Sequence, residues 1–265
     1  MVKFYSLLIT LFLVFSIQAQ QNLNVESINF QIGDKYSFQS DVLNEKRDIL
    51  IHLPSNYDSS EKEYPVIYLL DGNNHFYHAT IAVTILEENE KIPESIIVGI
   101  PNNRGTRGRD LARERGKFMQ FIKNEVIDFV ENKYRTNDQK TIFGHSMAGA
   151  FVLNYLATQP SLFDNYIVAS PVIQILNSEL LDKYENLFKQ NTTLDTSIYL
   201  TMTKLEAEGE RATEALGKFV EILKNKAPKS LSWKYDYIEN QIHMTTPYIT
   251  FYQGLAEFYK NYNVQ

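Results

Sequence analysis

Short, unbroken apolar runs in the middle of the chain limit its fold more than any other feature. Val66 to Leu70, Ser95 to Ile100, Thr141 to Phe143, Tyr166 to Ala169 and Ser197 to Met202 lack the polar–apolar alternation of a strand with one wet face. Strands that are apolar at consecutive positions are covered on both sides, which is the condition inside a parallel sheet. Between them the spacing changes to the helical period, with Phe118, Phe121, Ile122, Glu125, Phe129 and Val130 in one stretch and Leu216, Phe219, Val220 and Leu223 in another. The segment Thr245 to Tyr262 predicts a closing helix. Ahead of the runs, Ile28 to Ile32, Tyr36 to Phe38 and Arg47 to Leu53 alternate, with Gly33-Asp34 between the first two, so antiparallel strands joined by a tight turn are expected there. The fold class is therefore α/β: a mostly parallel central sheet with N-terminal antiparallel strands and helices on both faces. No Pro/Gly/Ser-rich linker or charge block divides the chain, so residues 20–265 are expected to form one domain.

Residues 1–19 read differently. Lys3 precedes an apolar run from Phe4 to Ile17, and Ile17-Gln18-Ala19 places a small residue before a cut. That is the pattern of a cleavable signal peptide, implying a periplasmic or secreted protein. The run is shorter than the roughly 20 residues that span a bilayer, so no stable membrane anchor is expected after cleavage. The chain has no cysteine, which removes lipoprotein anchoring, disulfides, thiolate metal sites and a thiol nucleophile. A net charge of −6 disfavours nucleic acid as a partner. An oligomeric state is not set by these features.

The sharpest local signal is Thr141-Ile142-Phe143-Gly144-His145-Ser146-Met147-Ala148-Gly149, where a buried strand meets a helix around a serine. In a G-x-S-x-G elbow the residues two before and two after the nucleophile must be small because strand and helix approach closely. Gly144 and Ala148 meet that demand, although Ala148 stands where glycine is usual. Serine needs a base to take its proton during attack. Of the five histidines, only His243 follows Ser146 in the chain, on the loop between the apolar stretch Leu231 to Ile238 and the last helix. His145 reads as a packing residue. The orienting acid should follow a strand between Ser146 and His243, and the strand from Ser197 runs into Lys204-Leu205-Glu206-Ala207-Glu208-Gly209-Glu210. Glu206 comes first and is the leading candidate, with Glu208 next. Glu210 fits a helix N-terminus, where a carboxylate favours the dipole. Asp236 and Glu239 are weaker candidates.

Acyl transfer also needs donors for the oxyanion of the tetrahedral intermediate, each worth about 2.7 to 4 kcal/mol of transition-state stabilisation. The backbone N–H of Met147 is one, and the loop after Leu70 offers the backbone N–H of Asn73. With these residues assembled, the sequence resembles the esterase D-like family of α/β hydrolases, which includes siderophore, feruloyl and acetyl-xylan esterases, S-formylglutathione hydrolases and mycolyltransferases. The resemblance is carried by Tyr64-Pro65-Val66-Ile67-Tyr68-Leu69-Leu70-Asp71-Gly72, Ile97-Val98-Gly99-Ile100-Pro101, Arg109-Asp110-Leu111, Tyr134-Arg135-Thr136, Gly144-His145-Ser146-Met147, Ser170-Pro171 and His243. It implies an α/β-hydrolase fold, a nucleophile at Ser146, a base at His243, an acid at Glu206 and an oxyanion loop at Asp71-Gly72-Asn73, with no metal or cofactor. Two stretches depart from the family pattern: no Thr-Pro follows Arg109-Asp110-Leu111, and no bulky aromatic follows Ser170-Pro171. Both flank the substrate pocket.

Arg104, Arg107, Arg109, Arg113 and Arg115 crowd the stretch after the Ile100 strand. One reading is a set of loop-fixing ion pairs with Asp110 and Glu114. The other is a positive field that holds an anionic ester such as a ferric catecholate siderophore, since ligands bind at the C-terminal ends of parallel strands. Asp71, Arg107 and Arg109 are the candidate substrate-binding side chains. The expected activity is hydrolysis of a small-molecule or glycan ester. Feruloyl or acetyl carbohydrate esters, acyl transfer to another acceptor, and a non-catalytic binding protein on this scaffold are the alternatives.

Overall fold

The computed structural model describes residues 26–176 and 179–262, so the expected signal peptide lies outside the described residues. Residues 26–31 form no helix or strand, and the compact unit begins at Ile32. Its centre is an eight-stranded sheet: β1 (Asp34–Ser40), β2 (Glu45–His52), β3 (Tyr64–Leu70), β4 (Ile96–Ile100), β5 (Thr136–His145), β6 (Asn165–Ala169), β7 (Ser197–Met202) and β8 (Ser232–Tyr237). The spatial order is β1-β2-β4-β3-β5-β6-β7-β8. β2 runs antiparallel to both its neighbours, and β3 to β8 are all parallel. Every residue of β3, β4 and β6 is buried, as their unbroken apolar sequences require.

The helices are α1 (Gly72–Glu88), α2 (Arg115–Phe121), α3 (Asp128–Lys133), α4 (Met147–Thr158), α5 (Glu179–Gln190), α6 (Leu205–Glu208), α7 (Glu210–Lys226) and α8 (Thr246–Phe258). A π-helical turn, Ile122–Ile127, joins α2 to α3. Successive residues of β3 serve opposite layers. Ile67 and Leu69 pack with Phe76, Ala79 and Val83 of α1 and with Phe251 and Leu255 of α8. Val66, Tyr68 and Leu70 belong to the larger core under α2, α4, α5 and α7. α4 is the most buried of these helices, with every residue from Ala148 to Leu156 shielded from solvent.

The N-terminal hairpin departs from expectation. Ile28 to Ile32 is not a strand, and the tight turn lies at residues 41–44 instead of Gly33-Asp34. Asn44 supplies the left-handed residue that closes it (φ 54°), a conformation its short polar side chain tolerates. The Glu125 carboxylate accepts hydrogen bonds from the amides of Asp41 and Val42, both at 2.9 Å, and ties the turn to the π-helical segment. The closing helix ends at Phe258, before the expected Tyr262.

At the edge of the sheet remote from Ser146, Glu87 of α1 is largely buried and accepts a hydrogen bond from the amide of Ser95 at 2.7 Å. Burial pushes its carboxyl up to about 8 despite that bond, with Glu94 and Glu88 adding to the shift. A carboxyl whose folded pKa lies above its unfolded one binds more protons in the native state, so it subtracts stability as pH rises between the two values. We predict that Glu87→Gln gains stability relative to the parent between about pH 4.5 and pH 8, with no further change above that window. Urea unfolding across this range measures it; parallel stability curves for the two proteins would show the prediction to be wrong.

Candidate active site

β5 delivers Gly144, His145 and Ser146 to the C-terminal edge of the parallel sheet, and α4 begins at the next residue. Ser146 adopts φ 60°, ψ −119°, a backbone state that costs a residue with a β-carbon about 1–3 kcal/mol and must be held by its surroundings. Its N–H donates to the Ala169 carbonyl at 2.9 Å, and its carbonyl accepts from Ala150 and Val172. The neighbouring glycine is a packing requirement: a β-carbon on Gly144 would lie 2.5 Å from the Ala148 carbonyl oxygen. Because Gly144 provides the room, Ala148 is accommodated where the motif usually has glycine.

His243 Nε2 lies 2.9 Å from Ser146 Oγ, and its Nδ1 lies 2.6 Å from Glu208 Oε2. Nδ1–H donates to the carboxylate, which leaves Nε2 to accept the serine proton. The loop that carries His243 is tied down at several points. Thr203 Oγ1 donates to the carbonyls of Ile238 and Gln241, and Thr246 Oγ1 donates to that of Ile242. His145 Nε2–H donates to the carbonyl of His243 itself at 2.8 Å. Burial, reinforced by the nearby imidazoles of His243 and His75, lowers His145 to about 4, so it is neutral at physiological pH. It is more than a packing residue, because it fixes the backbone that carries His243.

The carboxylate that meets His243 belongs to Glu208, and Glu206 is exposed to solvent. Order along the chain favours Glu206, which comes first after the strand, whereas residues 205–208 form a turn of helix. At 100° per residue, positions 206 and 208 point to nearly opposite sides, so only one can face the sheet edge. The Glu208 side chain is fully buried. Burial alone would raise its pKa, but hydrogen bonds from His243 and Ser170 outweigh it and hold the carboxyl below its ordinary value. Asp236 is engaged by Tyr199 and Lys234, and Glu239 lies on the surface.

The loop after β3 turns sharply at Asp71 (φ 51°). A β-carbon on Gly72 would come within 2.6 Å of the Ile100 amide nitrogen, so glycine is required for the loop to sit against β4. Asn74 and His75 donate their N–H groups to the Asp71 carbonyl. Asn73 and Met147, at the starts of α1 and α4, carry N–H groups without an acceptor inside their own helices. Asn73 and Ser146 line one cleft of about 620 Å³ together with Asp71, His75, Arg107, His145, Met244 and Tyr248.

The arginines divide between the two expected uses. Arg107 lines the cleft and forms a bidentate pair with Asp71, Nε and Nη2 lying 2.7 and 2.8 Å from its two oxygens. Asn102 Nδ2 donates to the same carboxylate at 2.6 Å. Asp71, which itself lines the cleft, therefore has its carboxylate engaged in fixing Arg107. Arg109 is reassigned. It bonds both oxygens of Glu45 and one of Asp110, and it does not line the cleft. Beneath it, Arg47 is wholly buried against the stacked rings of Phe118 and Phe121 and bonds Asp110 at 2.8 Å and the Pro101 carbonyl at 3.0 Å. Arg115 pairs with Glu179, and Glu114 with Lys117.

The sheet order, the strand-to-helix turn at Ser146 and the serine–imidazole–carboxylate series are those of the α/β-hydrolase class. Residues 40–246 match the family model described as "Putative esterase", and the chain belongs to this family of carboxylic ester hydrolases. It is 34% identical over 161 residues to the ferri-bacillibactin esterase BesA of Bacillus subtilis (strain 168), covering 48% of this chain and 55% of that protein. It is 31% identical over 155 residues to the siderophore enterobactin esterase of Emericella nidulans, covering 47% and 51%. The chain thus matches about half the length of these two relatives. An IroE-like serine hydrolase from Shewanella oneidensis shares the fold, with a TM-score of 0.81, 24% identity and coverage of 88% of this chain and 82% of that one.

The exchange of Glu206 for Glu208 is directly measurable. We expect Glu208→Ala to lower kcat for a simple ester by about 10³- to 10⁴-fold and Glu206→Ala to leave it within about twofold. The reverse ranking in steady-state kinetics would return the role to Glu206.

Proposed function

We propose that the protein is a periplasmic or secreted serine esterase that cleaves esters of anionic small molecules, ferric siderophores being the leading class, through an acyl-enzyme on Ser146. The observation that carries the reading is the continuous hydrogen-bonded series from Ser146 Oγ through His243 to the buried Glu208, at a cleft lined by Ser146 and by Asn73, whose amide at the start of α1 has no acceptor within that helix.

In this reading His243 Nε2 takes the Oγ proton as the serine attacks the ester carbonyl, and Glu208 steadies the imidazolium that forms. The carbonyl oxygen acquires its charge facing the N–H groups of Met147 and Asn73. On collapse His243 returns the proton to the departing alcohol, leaving the acyl group on Ser146. Water then enters, gives its proton to His243 and attacks the acyl carbon, and the carboxylic acid leaves as Oγ recovers its proton. No step of this sequence calls for a metal or cofactor.

Two things support an anionic substrate. Arg107 stands in the cleft with two of its five N–H groups held by Asp71, so the remaining donors are presented in a fixed orientation. The named relatives are siderophore esterases. Export rests on Lys3 and the apolar run Phe4 to Ile17, ahead of the small residue Ala19. The N-terminal sequence of the protein recovered from outside the cytoplasm tests it: a mature chain beginning at Gln20 is expected, and an intact Met1 would overturn the proposal.

For the chemistry, a fluorophosphonate is expected to label Ser146, and Ser146→Ala should abolish both labelling and p-nitrophenyl acetate turnover. A folded parent that takes no label would point to a non-catalytic binding protein. For the substrate, kcat/KM is compared across ferric catecholate siderophores, feruloylated sugars, acetylated xylan and short neutral esters. Arg107→Ala is expected to cost about 10- to 100-fold on the anionic substrates and less than threefold on neutral ones. Equal losses on both would remove the anionic reading.

A further inference from the structure

The acid Glu208 sits on α6, a helix of four residues, and so short an element does not fix the rotation of a carboxylate by itself. Its orientation comes from hydrogen bonds. Oε2 receives Nδ1–H of His243, while Oε1 receives the hydroxyl of Ser170 at 2.6 Å and, more distantly, the Thr203 amide at 3.3 Å. The two short bonds fall on opposite oxygens, so the Ser170 bond sets the plane in which Oε2 faces the imidazole. Ser170 is wholly buried and held at φ 41°, a left-handed conformation that a residue with a β-carbon adopts only under constraint. The constraint is visible: its N–H donates to the Thr201 carbonyl at 3.0 Å, continuing the β6–β7 pairing past the end of β6.

The residue before it adds a second connection. The Ala169 carbonyl accepts the amide of Ser146, so the dipeptide Ala169-Ser170 touches the backbone of the nucleophile with one residue and the carboxylate of the acid with the next. It places the two ends of the series in a common frame across β5, β6 and β7. We infer that Ser170 is a positioning residue for the reaction: its hydroxyl holds the Glu208 carboxylate so that Oε2 is aimed at His243, and it acts on catalysis only through Glu208. This inference rests on the proposed esterase reading. It gives a role to the Ser170-Pro171 stretch, which that reading left without one.

The test is a mutant cycle on the full protein with p-nitrophenyl acetate, using the parent, Ser170→Ala, Ser170→Gly, Glu208→Ala, the double variant Ser170→Ala/Glu208→Ala, and Ser146→Ala. The alanine and glycine variants each remove the hydroxyl, and glycine also accepts the left-handed backbone, which guards against misfolding in the alanine variant. Both should lower kcat by roughly 10- to 100-fold with KM within about twofold of the parent. Once Glu208 is already alanine, removing the Ser170 hydroxyl should cost less than about twofold more. A purely structural serine would impose the same factor in both backgrounds, and that result would overturn the proposal, as would parent-like kcat in both single variants. The low-field proton NMR signal of His243 Nδ1–H provides a reading independent of turnover. It should shift in both Ser170 variants, and an unmoved signal would also overturn the proposal. Turnover surviving in Ser146→Ala would refute the serine mechanism itself, and this outcome is distinct from a failed cycle.

Discussion

The site depends on the close approach of β5 and α4 at the turn that holds Ser146. Ser146 occupies a backbone state that nothing intrinsic to serine favours, and it persists because the elements around it leave no alternative. Gly144 lets the first turn of α4 come down onto the end of β5, and the buried stretch Ala148 to Leu156 of α4 keeps it there. The strain is set against burial of the helix from Ala148 to Leu156, where each large apolar side chain removed from water contributes about 1.5–3 kcal/mol. Ser146 stays presented at the sheet edge, partly accessible, because the core beneath it cannot relax. Neighbouring parts attach to the same frame, since Ala169 accepts the Ser146 amide, Ser170 meets Glu208, and His145 meets the backbone of His243.

A second, largely separate support carries the cationic wall of the cleft. The chain from Pro101 to Arg113, which ends in a π-helical turn at Arg109–Arg113, is tied to the core by Arg47, which packs against two stacked phenylalanine rings with its charge on Asp110. Removing one member of such a buried pair costs about 3–5 kcal/mol, because the partner charge is left uncompensated. Asp110 in turn takes Arg109 and Thr106, and Glu45 from the start of β2 closes the group. With that group fixed, Asn102 and Arg107 both reach Asp71, the residue at which the loop after β3 turns. The arginine-rich stretch therefore does two jobs within a few residues: Arg109 builds the loop, and Arg107 is what the loop presents.

These features differ in how far they can be read from sequence. Unbroken apolar runs report burial on both faces, which is a property of each strand alone, so β3, β4, β6 and β7 are legible without knowing their neighbours. The elbow is legible for a similar reason, because its small residues answer a local steric demand. The choice between Glu206 and Glu208 depends on whether the chain after β7 continues extended or coils into one turn, and on a partner from elsewhere that then holds the carboxylate, Ser170 at the end of β6. The hairpin turn was misplaced on similar grounds. Gly33-Asp34 has the composition of a turn, yet Asp41 to Asn44 closes the hairpin with help from Glu125, more than eighty residues away in the chain. Pairing between distant residues, including Arg47 with Asp110, leaves no periodic trace.

Three further imidazoles form a series that reaches His243 through His145, with His75 against His145 and His78 against His75. His75 and His145 are buried and His78 is partly so, and burial lowers all three, to about 3 for His75 and about 4 for His78 and His145. The His145 ring lies 4.7 Å from that of His243. In the proposed reaction, a charged His145 would set a like charge at that distance against the imidazolium forming on His243. The opposition would be worth about 3 to 4 kcal/mol at an effective dielectric of about 20, enough to slow the step by more than a hundredfold. Burial removes the penalty while leaving each ring its hydrogen-bonding capacity, so His145 can still donate to the His243 carbonyl and His75 can pair with His78 at 2.9 Å. The same desolvation that makes a buried cation costly thus makes neutral histidine a usable polar support beside the developing positive charge, where a lysine or arginine would work against it.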